Sequence, residues 1–520
     1  MNPSSFKQDG YNTIDLLNKG ISRILFIAVI AEIIVFPQWE NIVGCFVMIY
    51  GWVLVSKYIA TYNNLRLYPL PVIAILCYGF CYHVLPLVVT LIELKPLTFN
   101  FQVPYLTFFN HFLFITTITG AFGVCTRIYN QNNILNQLWN KIGYISEPSD
   151  LEIWILGWIG LLCVILRLSS QGVYVETQAT GNTINIVINT LSTLSVAPVC
   201  LAYKHLYSKN PVSNSSRLIK YYILFLMVIG IASTRRMLIF NSFATLGLLY
   251  LFNRLYNNKE LFSRKFVVIG VIAFYLITGP IADLATAMIL NRQSINTESA
   301  SSTFNTVLEL YNDKETLHRM HQIVMDETDN NGDNRVGWSE YYVDNIFLDR
   351  FCNLRVMDAT LYNAQNVGYA TDAALEYYKD YWVNQLPSSI ANAFGLKKVV
   401  HGTVCDEMLI GIFGDSRYSI AGSKVGGATG IGLYCFGYWF YLVAFVTYII
   451  AFYFMCSFVN IFDKRIQFPV VILATFMKIC TYFNNANGIF FNMDIFTRVT
   501  INTILIYSII MFLLKIFFRR

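Results

Sequence analysis

Charge is what this chain has least of. Only 13% of its 520 residues are Asp, Glu, Lys or Arg, and 55% are hydrophobic. A soluble globular domain carries about twice that charged fraction. The shortage excludes an ordinary soluble enzyme. The net charge of +6 is modest and comes from clustered loop lysines and arginines, so no nucleic-acid partner is read from it. Several motifs are also missing. There is no G-x-x-x-x-G-K-[ST], which disfavours an ATP-driven pump of that type. The absence of H-E-x-x-H disfavours a zincin protease, and no G-x-S-x-G elbow is present. Neither an internal repeat nor a cleavable signal peptide is apparent, because the segment up to Arg23 is polar.

What is present is a succession of long apolar runs rich in Ile, Phe, Tyr and Leu, without the alternation of barrel strands. Candidate spans are 22–37, 40–60, 68–93, 104–126, 150–168, 183–203, 217–233, 236–253, 265–289, 428–458, 466–483 and 492–516. The expected fold is an all-α polytopic membrane protein of about twelve transmembrane helices. If Lys7, Lys19 and Arg23 are cytoplasmic, alternate crossings place the other basic clusters on the same side. These are Lys57 and Arg66; Arg127 and Lys141; Lys204, Lys209, Arg217 and Lys220; Arg254, Lys259, Arg264 and Lys265; Lys464 and Arg465; and Lys515, Arg519 and Arg520. The opposite loops, 95–103, 171–182 and 484–490, are nearly free of basic residues, as the positive-inside rule expects of outer loops. Both termini are then inside.

Between 291 and 427 lies a polar stretch of roughly 135 residues, far longer than an ordinary connection. The frame places it outside, as one periplasmic or extracellular, mainly helical loop or cap between spans one to nine (1–290) and spans ten to twelve (428–520). Helices are expected over about 303–327, 338–365, 370–383 and 386–395, the last opened by Leu386-Pro387-Ser388-Ser389. The glycines of 411–432 read as a flexible return into the membrane. Of the 11 cysteines, only Cys352 and Cys405 fall clearly in this stretch. They are either a disulfide or two buried thiols.

Arg235 and Arg236 sit in a very short outer turn, against the local charge trend. Guanidinium forks suit phosphate oxygens, and the alternatives are snorkelling or pairing with Asp283 or Glu176. Arg167 lies at a similar depth near the outer end of the fifth span, and Arg292 lies just above the outer end of the ninth, where Asp283 either pairs with an arginine or marks a functional charge. His111, like His83, is set farther into its helix and is either a base or a hydrogen-bonded core residue. Asp349 to Asp358 fits a helix bearing Arg350 and Arg355. Arg355 and Asp358, at i and i+3, can also simply pair with each other. Asp415, Arg417 and Tyr418 precede the glycine-rich return and suit sugar recognition, or form a solvated turn.

The sharpest local motif runs from Asp329 to Glu340 and matches the twelve-residue EF-hand loop. Oxygen ligands fall at Asp329, Asn331 and Asp333, a backbone carbonyl at Arg335 and the bidentate carboxylate at Glu340. Asn334 replaces the usual glycine and weakens the turn. A structural Ca²⁺ in the external loop is expected, with an acidic surface turn as the alternative.

The layout of about twelve spans, inward termini and one large external loop resembles the O-antigen polymerase and O-antigen ligase superfamily of bacterial envelopes. The Arg235-Arg236 pair and the Arg350–Asp358 segment are similar in kind to the external arginines of that family. The likeness covers nearly the whole chain, but it carries no motif that transfers residue by residue. A ligase is expected to show an important histidine in the large loop. His318, His321 and His401 lie in no recognisable motif, which favours the polymerase.

The resemblance implies a glycosyltransferase at the outer face of the bacterial inner membrane. It would lengthen a polyprenyl-diphosphate-linked oligosaccharide, with a chain-length regulator and a flippase as partners and no nucleotide cofactor. Arg235 and Arg236 would neutralise the departing diphosphate, and Asp358, Asp415 or His111 would take the acceptor's proton. The other reading is a lipid-linked oligosaccharide flippase or another polytopic transporter.

Overall fold

The computed structural model describes residues 5–130, 133–144, 147–170, 183–208, 216–232, 236–256, 278–290, 300–313, 341–349, 351–386, 388–399, 426–462, 465–484 and 499–518, with isolated residues between them. These residues are almost wholly helical. A two-stranded antiparallel hairpin pairs Asn460–Phe462 with Arg465–Gln467.

Five helical stretches are long and apolar enough to cross a membrane: Trp39–Ile59, Pro69–Ile92, Pro104–Ile128, Ala428–Ser457 and Thr500–Phe517. The chain therefore has the character of an all-α membrane protein, but the described residues do not bear out the expected count of about twelve spans. Two of the expected spans are interrupted within the described residues. The expected 183–203 span divides into an α-helix, Thr183–Ser192, and a 3₁₀ stretch, Thr193–Leu206, that contains Pro198 and a non-helical Tyr203. Proline removes a backbone donor and blocks the regular ladder at that point. The expected 265–289 span is interrupted at Gly279, after which Pro280–Leu290 begins a new helix.

The Pro104–Ile128 helix packs between Trp39–Leu54 and Phe440–Ser457. Their buried side chains form one continuous core that runs from Ile14 to Leu514. Tyr342, Val343, Cys352, Leu354, Met357 and Leu361 belong to the same core. That part of the polar stretch is therefore embedded in the bundle, not merely perched on it.

Within the stretch, helices run Ala300–Asn312, Ile346–Asp349, Leu354–Val367, Asp372–Gln385 and Ser388–Ala393. The expected 338–365 helix is broken. Residues 341–345 are not helical, the Asn345 side chain accepts from Leu348 N–H at 3.1 Å, and the Asp349 carboxylate accepts from Val343 N–H at 3.3 Å. Asn and Asp side chains commonly compete with a helix ladder in this way. The expected 370–383 helix forms, started by the Thr371 hydroxyl accepting from Ala374 N–H.

The glycine-rich return also differs from a flexible linker where it is described. Ala428–Phe436 is a helix lying against Leu354–Val367. A Cβ on Gly430 would stand 2.6 Å from Thr360, and Gly427 N–H donates to the Thr360 hydroxyl at 2.7 Å. Here the absent side chain lets two helices approach closely.

The connections gather at two ends of the bundle. At one end, Tyr256 OH donates to Leu65 O, Asn18 Nδ2 to Ala60 O, Trp139 Nε1 to Ser457 Oγ and Phe468 N–H to Leu206 O. At the other end, residues 93–103 meet residues 341–358. The first end holds the basic clusters near 57–66, 127–141, 204 and 254. The second holds the polar stretch.

Candidate functional site

The site begins with a helix that starts inside the protein. Pro104 occupies the first position of Pro104–Ile128, and Val103 offers no side-chain cap. The first N–H groups of any helix need acceptors. Asp358 supplies them from the polar stretch: its carboxylate accepts from Gln102 N–H at 2.7 Å, Val103 N–H at 3.0 Å and the Thr107 hydroxyl at 2.8 Å. The anion therefore sits at the positive end of the helix dipole. Arg355 Nη1 donates to Asp358 Oδ2 at 2.8 Å, the oxygen that also accepts from Gln102 N–H. Both residues are buried, Asp358 at 0% and Arg355 at 1% exposure.

Burial raises the Asp358 carboxyl above the ordinary carboxylate range. The Gln102 N–H, the Arg355 charge, the Thr107 hydroxyl and the Val103 N–H oppose the shift without cancelling it. Four donors engage this carboxylate, which gives it a docking role. Taking a proton from an acceptor hydroxyl would require it to leave some of them. The pairing of Arg355 with Asp358, one of the two readings of that segment, is the one the structure makes.

Further contacts fasten the same two segments and tie residues 93–103 to the first two helices. Lys95 Nζ donates to Glu93 Oε2 at 3.1 Å, Tyr341 OH at 3.1 Å and Asp344 Oδ1 at 2.7 Å. Burial alone would lower the lysine, but these hydrogen bonds outweigh it and hold Lys95 above its usual range. Tyr342 OH donates to Leu97 O at 2.6 Å, and Leu97 N–H donates to the fully buried Glu32 at 2.6 Å. Asn41 Oδ1 accepts from the Thr98 N–H and hydroxyl.

Below this layer the polar groups continue inward. His111 follows Thr107 by four residues, so the two share a helix face. His83 lies beside it, with ring centroids 4.5 Å apart. His83 belongs to a short π-helical turn, Phe80–Val84, a distortion frequent at functional sites. Cys81, in the same turn, accepts from Asn353 N–H of the polar stretch at 3.4 Å. His111 Nδ1 shares a hydrogen bond with Tyr78 OH at 3.1 Å. Both ring nitrogens of His83, His111 Nε2 and Glu32 Oε2 are buried without a hydrogen-bond partner among the described residues. A Cβ on Gly51 would stand 1.9 Å from the His83 ring, so only glycine leaves room for it. The result is a buried polar column, Asp358–Thr107–His111–His83, descending from the docked stretch into the bundle.

Of the sequence candidates, the structure brings Asp358, Arg355 and His111 into this column. Arg236 opens the helix Arg236–Tyr256, and Arg167 lies in Asp150–Ser170; the side chains of both are outside the described residues, as is Arg235 altogether. Arg292, Arg350, Asp415, Arg417, Tyr418 and the calcium-loop residues Asp329, Asn331, Asp333, Arg335 and Glu340 also lie outside them. Cys352 and Cys405 are both buried thiols, not a disulfide.

Sequence reasoning passed over Glu32, Asn41, Lys95 and Tyr342. Two signals were available: Glu32 is an acid inside an apolar span, and Lys95 is the lone cation of its loop.

No family model, no curated protein and no solved structure matches the chain.

Proposed function

We propose that this protein is a membrane-integral glycosyltransferase that polymerises lipid-diphosphate-linked oligosaccharide units at the outer face of a bacterial inner membrane. The observation that carries the reading is the docking of the polar stretch, through the buried Arg355–Asp358 pair, onto the start of the Pro104–Ile128 helix. An enzyme for a lipid-anchored sugar has to hold its sugar-facing part in register with the bilayer edge, where the diphosphate lies. A buried ion pair with two backbone contacts fixes that register, which a tethered domain would lack.

In this reading about twelve spans keep both termini cytoplasmic, and the 291–427 stretch is periplasmic. Arg235 and Arg236, supported by Arg167 and Arg292, neutralise the leaving diphosphate. Arg350, Arg417 and Tyr418 bind sugar, and Arg355 orients the segment. The proton acceptor comes from Asp415 or His111, since Asp358 is engaged in docking. A Ca²⁺ held by Asp329, Asn331, Asp333, Arg335 and Glu340 braces the loop.

The test is to measure transfer to a lipid-diphosphate acceptor by purified Arg235→Ala and Arg236→Ala variants. Both should lose activity while keeping the wild-type melting temperature. Full activity in both would remove the diphosphate role.

A second reading, a lipid-linked oligosaccharide flippase, is favoured by the interruptions at Thr193–Leu206 and Gly279. Broken helices line substrate paths in many transporters. Translocation of a labelled lipid-linked oligosaccharide across vesicles, without any elongation, would select it.

A further inference from the structure

At the end of the bundle opposite the polar stretch, an open cavity of about 560 Å³ lies between the first helix, Ser5–Val35, and the end of the second. It is lined by Asp15, Asn18, Lys19, Ser22, Arg23, Phe26, Ser56 and Lys57. We propose that this cavity is a binding site for an anionic phospholipid, with Arg23, Lys57 and Lys19 around the phosphate and the Phe26 face along an acyl chain.

The walls are built, not incidental. Asn18 Nδ2 donates to Ser56 O at 3.3 Å and Ala60 O at 2.9 Å, and Trp52 Nε1 donates to Ser22 Oγ at 3.0 Å. These bonds lock the first helix to the second and fix the cations relative to one another. Lys19 pairs with Asp15 at 2.6 Å, on an exposed face where such a pair contributes little. Arg23 and Lys57 are exposed and have no carboxylate within ion-pairing distance among the described residues. The cavity keeps a net positive charge after Asp15 is counted, and a guanidinium beside an ammonium suits a phosphodiester.

The second half of the ligand is marked by an apolar stripe. Phe26 is 60% exposed, and Ile30 and Ile34 follow it at four-residue intervals, 44% and 73% exposed. The stripe runs up one helix face from the cavity rim. Cations at the mouth and an uncovered hydrocarbon-facing stripe above them match a lipid with a negative headgroup better than a soluble anion. Asp15 also offers an acceptor to a headgroup hydroxyl, which glycerol supplies and choline does not.

The full-length protein, delipidated in neutral detergent, is titrated with dioctanoyl phosphatidylglycerol and with dioctanoyl phosphatidylcholine, and bound lipid is counted by native mass spectrometry. The wild type should prefer phosphatidylglycerol by roughly tenfold, and Arg23→Gln or Lys57→Gln should each weaken it about fivefold without changing phosphatidylcholine binding. Arg23→Lys and Lys57→Arg should keep the preference, which separates loss of charge from loss of fold. Inorganic phosphate at millimolar concentration should not compete. Equal binding of the two lipids, a preference that survives Arg23→Gln/Lys57→Gln, or displacement by inorganic phosphate alone would each overturn the proposal.

Discussion

Replacing Asp358 by alanine should detach the polar stretch from the bundle. The substitution removes one acceptor from four donors. It leaves Arg355 charged and 1% exposed, and it leaves Gln102 N–H and Val103 N–H at the helix start without their partner. Removing one member of a buried ion pair costs about 3–5 kcal/mol. The pair is fully buried, so no discount for solvent screening applies. The backbone donors raise the cost only where water cannot reach them, and about 3–5 kcal/mol is therefore the working expectation. Asp358→Asn keeps the shape and one acceptor oxygen and should lose less. Arg355→Met/Asp358→Leu replaces both charges by apolar groups and should recover much of the loss. The assay is twofold: the melting midpoint followed by tryptophan fluorescence, and the rate of proteolysis within residues 341–358. Unchanged melting and unchanged cleavage in Asp358→Ala would refute the docking argument. A double variant no better than the sum of the singles would show that the two residues do not act as a pair.

Two other outcomes follow from the same column and its surroundings. Gly51→Ala would place a methyl group 1.9 Å from the His83 ring, and overpacking of this kind costs about 1–3 kcal/mol. Its melting midpoint should fall, and adding His83→Ala should remove most of that penalty, whereas a strictly additive pair would contradict the contact. The raised Asp358 carboxyl sets a pH dependence. The folded state holds this proton to higher pH than the unfolded chain, so the contribution is greatest at low pH. It falls as pH rises through and above the ordinary aspartate value of 3.8, and levels off beyond the raised one. The difference in melting between wild type and Asp358→Asn should shift in that window, and a flat difference would remove the assigned cause.

Much of the architecture was legible because apolar runs and basic clusters report the solvent around each segment. The segments bearing Lys57, Arg66, Lys204 and Arg254 gather at one end of the bundle. The span count was less legible. Composition cannot distinguish a continuous helix from a broken one, and Pro198 and Gly279 break two runs that read as continuous. The Arg355–Asp358 pair was visible as an i, i+3 spacing. Its docking on Gln102 and Val103 was not, because those donors are backbone groups with no signature in the side chains. His111 was a candidate by its burial in an apolar helix, but its neighbour His83 could be matched to it only in three dimensions. Glu32 and Lys95 were the legible signals passed over: Glu32 is the lone acid of its span and Lys95 the lone cation of its loop.

The central claim is the chemistry at the outer face, and one incubation tests it most directly. Purified protein is given a polyprenyl-diphosphate-linked oligosaccharide in lipid, and the products are separated on a gel. The account predicts a ladder of lengthened lipid-linked products that is lost in Arg235→Ala/Arg236→Ala. Labelled substrate carried across the bilayer with its length unchanged, and no ladder under any donor condition, would contradict it.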